Sequence, residues 1–250
     1  MNTTKTTAPI TAPAEYPVQV RLPGQAAAAE GPIDPFMMYV AHHAFRRDLA
    51  DFAACAPHTP VADTDTWRAL ADRWSSFYDV LHHHHTGEDE ALWPLLLSGA
   101  DDDEQAVLHA MEAEHELIDP LLTACSAGFA AMAAGPGRAD DTVRADLAGS
   151  LQRTFETLSA HLAHEESAAM VIMQRRMSPA EWDAFEETMR GEVKPREVLA
   201  VGPFLVKGLP ADDRQAIMSR LPAILRILTR LGERSFARRD RRAFFYDPRR

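Results

Sequence analysis

Four segments of the chain each place a histidine among regularly spaced apolar residues, and two of them add a glutamate four positions later. The pattern consists of His42, His84 with Glu88, His115, and His161 with Glu165. Residues four positions apart share one face of an α-helix, so each His–Glu pair can reach a common centre. Imidazole and carboxylate donors without a thiolate suit iron, manganese or zinc. The pattern predicts two metal ions bridged by Glu88 and Glu165, with histidines as terminal ligands.

Energetics favour a ligand role for the whole set. Each imidazole or carboxylate in an apolar core costs a few kcal/mol if it is unpaired, and a metal pair removes most of that cost. A single core histidine is more often hydrogen-bonded to a neighbour than bound to metal. The prediction therefore rests on the recurrence in four successive segments.

Polar neighbours leave some assignments open. His85 could replace His84, and His43 could replace His42, if the helical register differs by one position. His164 and Glu166 lie beside the last pair and could orient ligand imidazoles through hydrogen bonds. We prefer Glu165 over Glu166 as the bridging acid because Glu165 follows the apolar phase.

Apolar residues at steps of three and four predict the helices that position these groups. The expected helices cover about 35–56, 66–97, 101–134 and 140–176, with Asp34 as the first N-cap and Pro94 as a kink. No segment in this region shows sustained two-residue alternation. The expected fold is all-α: an up-down-up-down four-helix bundle over residues 35–176, with a C-terminal helical appendage.

The flanking regions differ from the bundle in composition. Residues 1–34 contain five prolines and predict a flexible N-terminal arm. Residues 177–250 predict the helical appendage, which starts with a capping box at Ser178-Pro179-Ala180-Glu181 and is interrupted at Pro222. The appendage ends in a basic tail.

Charge is unevenly distributed along the 250 residues. The net charge is −11, but residues 221–250 hold nine arginines against three acidic residues, a net of +6, which leaves −17 for the rest. This balance argues against nucleic-acid binding by the whole surface. The basic amphipathic tail could contact anionic lipid, nucleic acid or a protein partner, or pack against its own bundle.

Cysteine content and hydropathy bear on location. Cys55 and Cys125 are too few for a disulfide framework and are expected to be buried thiols. No targeting segment is evident, and no segment is expected to reach the roughly 20 apolar residues that cross a bilayer. We therefore expect a cytoplasmic protein.

The combined motifs resemble the hemerythrin-like family, also called the HHE cation-binding domain. The matching pieces are Ala41-His-His-Ala-Phe-Arg-Arg47, His84-His-Thr-Gly-Glu88 with Leu92-Trp-Pro94, Glu114-His115, and His161-Leu-Ala-His-Glu-Glu166. The resemblance covers about residues 35–176. It implies a four-helix bundle around a non-haem di-iron centre, in members that bind oxygen, nitric oxide or peroxide, or that sense oxygen, iron or redox state.

One position departs from the oxygen-carrying members of that family. They have a second histidine one turn after the ligand in the third helix, where this chain has Asp119 followed by Pro120. Asp119 could be a ligand, an acceptor for a ligand imidazole, or an exposed acid. The departure weakens the case for oxygen carriage.

Three functional hypotheses follow. The first is a di-iron protein that binds or senses a small ligand (O2, NO or peroxide) in a pocket lined by Phe45, Phe77, Trp93 and Met111. The second is a di-iron enzyme that reduces peroxide, oxygen or nitric oxide. The third is a metal-storage or metal- and redox-sensing protein that signals through its basic tail.

Overall fold

The computed structural model describes residues 16–191 and 194–250, and every regular element in these residues is helical. The helices are α1 (Phe36–Cys55), α2 (Thr64–Gly87), α3 (Trp93–Leu97), α4 (Asp102–Ala134), α5 (Asp141–His164), α6 (Met170–Arg176), α7 (Pro179–Arg190), α8 (Pro195–Val206), α9 (Ala211–Arg220) and α10 (Ala223–Ala243). The prediction of an all-α chain is confirmed.

Two π-helical turns join consecutive helices into longer rods. Glu88–Leu92 connects α2 to α3, and Glu165–Ala169 connects α5 to α6. A π turn holds one residue more than an α turn, so it shifts which later residues face inward. Leu95, expected on the buried face, is 40% exposed, and Leu96 is buried in its place.

The long helices pack as a closed ring around an apolar interior. Helix α1 contacts α2 and α5, and α4 contacts the same two helices. The interior holds two apolar clusters, one containing Phe45 and Phe129 and the other containing Trp93 and Met111. Along each long helix, and the π turn where one follows it, the buried histidines lie where one apolar cluster gives way to the other, so the ring encloses a polar layer between apolar ones.

Acidic and hydroxyl side chains set several helix starts. Asp63 accepts from the backbone N–H of Thr66 at the start of α2, and Ser178 forms the predicted capping box at the start of α7. Asp34 does not cap α1, contrary to expectation. Its carboxylate instead pairs with Arg220, at 2.9 Å, and the residue at the cap position is Pro35.

The N-terminal segment, defined here as residues 16–34, has no helix, but it packs on the ring and is not a free arm. Leu22 and Ile33 are buried against the second apolar cluster. The Gln174 side-chain amide accepts from the backbone N–H of Ile33 and donates to the carbonyls of Ala29 and Ile33. These contacts offset the conformational entropy that the N-terminal segment loses when it is ordered. The amino-acid composition of the segment does not reveal such contacts. Residues 1–15 of the predicted arm lie outside the described residues.

The appendage folds back on α1 and α2. Helix α8 contacts α1 and α10, and α10 contacts α2. Gly232 permits the close α8–α10 approach, since a Cβ there would lie 2.1 Å from the Leu199 carbonyl oxygen. Phe244, just after α10, is buried with its ring centroid 5.1 Å from that of Phe52. The tail thus completes one of the two apolar clusters.

Helix α4 is long and apolar enough to cross a membrane, with an 18-residue window of mean hydropathy 1.5. The expectation that no segment approaches a membrane span therefore does not hold for α4 by length and composition. The helix packs against α2 and α5 and buries His115. We interpret α4 as a core helix of the ring.

Candidate metal centre

Seven buried side chains form two adjacent groups that could each hold a metal ion. The first cluster contains His42, His84, Glu88 and Glu165, and the second cluster contains His85, His115 and His161. Within each cluster one potential ligand atom per residue lies within 4.8 Å of the others. The chain therefore offers two neighbouring sites with nitrogen and oxygen donors.

Four helices and both π turns supply these groups. His42 lies on α1, His115 on α4 and His161 on α5, and α2 supplies the remaining histidines in its last turn. Each glutamate is the first residue of a π turn. Such turns are rare in helices and concentrate at functional sites.

Glu88 reaches from one cluster to the other. Its Oε1 atom lies 3.1 Å from His84 Nε2, and its Oε2 atom lies 3.7 Å from His115 Nε2. Glu165 lies opposite, with Oε2 at 3.2 Å from His42 Nε2. Glu88 therefore has one carboxylate oxygen near each cluster, and its role as a bridging ligand stays a prediction.

Three of the imidazoles donate from Nδ1 to a carboxylate. The pairs are His42 with Glu166 at 3.0 Å, His115 with Asp89 at 2.8 Å, and His161 with Glu114 at 2.8 Å. A carboxylate on Nδ1 selects the tautomer whose Nε2 lone pair points the other way. All three Nε2 atoms therefore face the centre, where each offers a lone pair to a metal ion when its ring is neutral.

The second cluster shows why a cation fits. The Nε2 atoms of His115 and His161 are 3.1 Å apart. When both rings are neutral and donate their Nδ1 protons to carboxylates, neither Nε2 has a proton to share, so the two lone pairs repel one another. A cation between them converts this repulsion into coordination.

Unsatisfied buried atoms support the same conclusion. In the described part of the chain, both carboxylate oxygens of Glu88 and of Glu165, and Nε2 of His85, are buried without a hydrogen-bond partner. Leaving such groups unpaired costs several kcal/mol. Metal coordination would satisfy all five atoms.

The protonation states reflect this crowding of ligands. Burial, followed by the neighbouring charge of His42, lowers the pKa of His84 to about 3, and burial holds the pKa of His85 well below its ordinary value. Burial and the Glu165 carboxylate hold the pKa of Glu88 well above its ordinary value. His84 and His85 are thus neutral donors at pH 7, the form that binds metal.

Two neighbouring carboxylates act on His42. Burial lowers its pKa, but Glu165 and Glu166 outweigh burial and raise it to about 9. The His42 imidazolium ring therefore holds a proton beside Glu165. The two carboxylates thus favour positive charge at this position, which a metal ion would also supply.

The structure brings the six predicted metal residues together and adds His85. From the sequence, His85 is an alternative to His84, whereas in the structure both side chains are buried and both face the centre. His82 and His83 of the same run are exposed. The four consecutive histidines at positions 82–85 therefore contribute two candidate ligands rather than one.

Two of the alternative residues lie outside both clusters. His43 pairs through Nδ1 with the Pro23 carbonyl, 3.2 Å away in the N-terminal segment. Asp119 is exposed, because α4 turns Ile118 inward instead. The ligand role considered for Asp119 is therefore wrong, and it is an exposed acid.

His85 is the third imidazole of the second cluster. Its ring stacks on that of His115 with a centroid separation of 4.0 Å and an interplanar angle of 14°. The ring centroid of His161 lies 5.5 Å away. The third imidazole of the second cluster thus comes from α2 rather than from α4.

Glu166 and His164 take the supporting positions considered for them. Glu166 accepts from His42, from both Nη atoms of Arg46 at 2.7 and 3.1 Å, and from the backbone N–H of Ala26 at 2.5 Å. His164 donates from Nδ1 to Glu114 at 2.8 Å. Glu166 thus contacts the His42 imidazole directly, and His164 acts on His161 only through their shared partner Glu114.

Asp89 and Glu114 were not assigned roles from the sequence. Each is adjacent in sequence to a candidate metal residue, and Glu114 also belongs to the Glu114-His115 piece of the family resemblance. Each reaches across to a histidine on another helix, and helix pairing is not visible in residue spacing.

Comparison with known proteins completes this description. A family model described as the hemerythrin HHE cation binding domain matches residues 36–171. No curated protein and no solved structure matches the chain.

Proposed function

The chain belongs to the hemerythrin HHE cation-binding family, and from this premise we propose that it holds two iron ions and uses them to bind or sense a small ligand: dioxygen, nitric oxide or a peroxide. The observation that carries the proposal is the pair of donor clusters sharing Glu88. Seven donors in two groups are more than one ion needs. Manganese or zinc would suit the same atoms.

We also infer the up-down-up-down four-helix bundle. Its support is the closed ring of contacts among α1, α2, α4 and α5, together with the short connections between successive helices. Short connections favour antiparallel neighbours.

The residues around the clusters fit a small ligand in a dry site. Iron, when bound, supplies redox chemistry and an open coordination position. Phe45 packs its ring 5.3 Å from the His84 ring, and Phe77 packs 5.9 Å from Phe45, so both keep water from this side. Trp93 and Met111 are buried in the other apolar cluster. The carboxylates on Nδ1 keep the imidazole lone pairs directed at the centre.

A cytoplasmic location belongs to the same proposal. Cys55 and Cys125 are free and buried, and burial raises the pKa of Cys125 to about 11. Buried free thiols suit a reducing compartment. Fractionation of cells that produce the full chain would test this location.

The central test is metal analysis of the full chain purified under iron-replete, low-oxygen conditions. We expect about two iron ions per chain and a change in the absorption spectrum on adding nitric oxide or peroxide. Sustained turnover with an added reductant would indicate a reductase instead. Protein that carries no metal would contradict the proposal.

Histidine substitutions provide the matched comparison. His85→Ala should lower iron to about one ion per chain because the second cluster loses one of its three imidazoles. His82→Ala lies in the same run but is exposed, so it should keep the full iron content. Equal iron content in the two variants would show that His85 is not a ligand.

A further inference from the structure

The outer face of α10 carries a continuous exposed stripe that the metal centre does not use. We define the α10 stripe as Ile224, Ile227, Leu231, Arg234, Arg238 and Arg241, which follow one another at steps of three and four. The three aliphatic side chains are 62, 51 and 67% exposed. Residues at these steps share one helix face, so the stripe presents an aliphatic half followed by a cationic half.

The opposite face of α10 fixes this orientation. Gly232, Phe236 and Ala243 are buried on that face, and the guanidinium carbon of Arg73 on α2 lies 4.4 Å from the centroid of the Phe236 ring. Because these contacts hold the inner face, the helix cannot rotate to bury the stripe. The aliphatic side chains stay in water unless a partner covers them.

We propose that the α10 stripe binds the surface of an anionic lipid bilayer. A helix lying in the interface places aliphatic side chains at the boundary of headgroups and acyl chains, while arginines contact lipid phosphates. The stripe contains no acidic residue. Because the remainder of the chain is acidic, the anionic membrane would repel it, and the molecule would bind with α10 facing the membrane. This proposal does not depend on the metal assignment.

The composition of the stripe argues for lipid over two other occupants. Nucleic-acid phosphates would use the arginines but leave Ile224, Ile227 and Leu231 in water. A second copy packed in parallel would place each arginine against another arginine. A bilayer surface accommodates both halves of the stripe from one side. Phe245, which is 70% exposed, continues the same spacing beyond the helix.

The test is co-sedimentation of the full-length protein with vesicles. Substitutions are preferred to truncation because Phe244 is buried against Phe52. Wild-type protein should sediment with phosphatidylglycerol–phosphatidylcholine vesicles, less so at high salt, and should remain in solution with phosphatidylcholine alone. The double variant Ile227→Asp/Leu231→Asp and the triple variant Arg234→Gln/Arg238→Gln/Arg241→Gln should each lower affinity at least tenfold.

A matched control shows whether vesicle binding depends on the α10 stripe or on any exposed apolar side chain. Leu117→Asp on α4 changes a leucine that is 65% exposed, and it should leave vesicle binding unchanged. Circular dichroism and metal content should match wild type in all variants. The proposal is overturned if wild-type protein does not bind anionic vesicles, or if the stripe variants bind as well as wild type. It is also overturned if the stripe mediates duplex DNA binding or self-association and the vesicles are not bound.

Discussion

At the residue scale, the hydrogen bonds to Nδ1 determine which nitrogen of each imidazole faces the centre. Asp89, Glu114 and Glu166 each accept from one histidine of the two clusters in this way. Glu114 holds two, since it accepts from both His161 and His164. The His161 and His164 contacts outweigh burial and lower the pKa of Glu114, so it is a carboxylate at neutral pH.

Substitution of Glu114 tests this positioning role. Glu114→Ala removes the acceptor of His161 Nδ1, so the ring loses its fixed tautomer and orientation. Metal affinity should fall about 10- to 100-fold, measured by competition with a chelator. Glu112→Ala, two positions earlier, removes only an exposed contact with His109 and should leave affinity unchanged. If the two variants bind metal with equal affinity, Glu114 does not contribute to metal binding.

At the element scale, the N-terminal segment is connected to the metal centre through Glu166. The backbone N–H of Ala26 donates to one Glu166 oxygen, and His42 donates to the other. Gln174 holds the segment in place through Ala29 and Ile33. The position of this segment therefore influences how His42 is held.

Gly31 offers a way to displace the segment. A Cβ at Gly31 would lie 2.3 Å from the Gln174 Oε1 atom, so Gly31→Ala must push the segment away from α6. We expect a loss of about 1–3 kcal/mol in unfolding free energy and a severalfold faster release of metal to a chelator. At Gly99 a Cβ would meet nothing within 4 Å, so Gly99→Ala is the control. Release at the wild-type rate from Gly31→Ala would show that the segment and the metal site are uncoupled.

At the scale of the whole molecule, buried ion pairs join the appendage to α1 and α2. Asp48 pairs with Arg47 at 2.7 Å and with Arg73 at 2.5 Å, and Arg47 donates to the Phe204 carbonyl of α8. Nearby, Lys207 pairs with Asp51 at 2.7 Å. Each partner is costly to remove because it leaves an uncompensated buried charge.

The pH dependence of stability should show the contribution of Asp48. Burial raises its pKa, but Arg73 and Arg47 outweigh burial and lower it below the ordinary value of 3.8. A lowered folded-state pKa contributes stability that is present above about pH 4 and is lost as the pH falls below that value. Asp48→Asn should therefore lower unfolding free energy by about 3–5 kcal/mol at pH 7, with a smaller difference below pH 3.8.

Urea denaturation from pH 7 to pH 3 measures this difference. Asp65→Asn serves as the control, since Asp65 is 74% exposed and its 3.6 Å pair with Arg68 lies in water. That substitution should change stability by less than about 1 kcal/mol at any pH. A difference between wild type and Asp48→Asn that does not vary with pH would contradict the account of Asp48.

Residue spacing alone determined the helices and, within each, the face that carries the metal residues. It predicted the all-α class and six of the seven clustered donors, because the periodicity of one helix is a local property of the chain. The family was indicated by the resemblance of the combined motifs. His85 was visible only as an alternative to His84, since residue spacing treats adjacent positions as belonging to different faces.

Tertiary structure decided what happens between helices. It placed His85 against His115, turned Asp119 into solvent, and paired Glu114 with His161 on a neighbouring helix. It also set the two π turns, whose extra residue moves Leu96 inward in place of Leu95. These features depend on packing between segments that are far apart in sequence. The free energy of that packing cannot be inferred from a local pattern of residues.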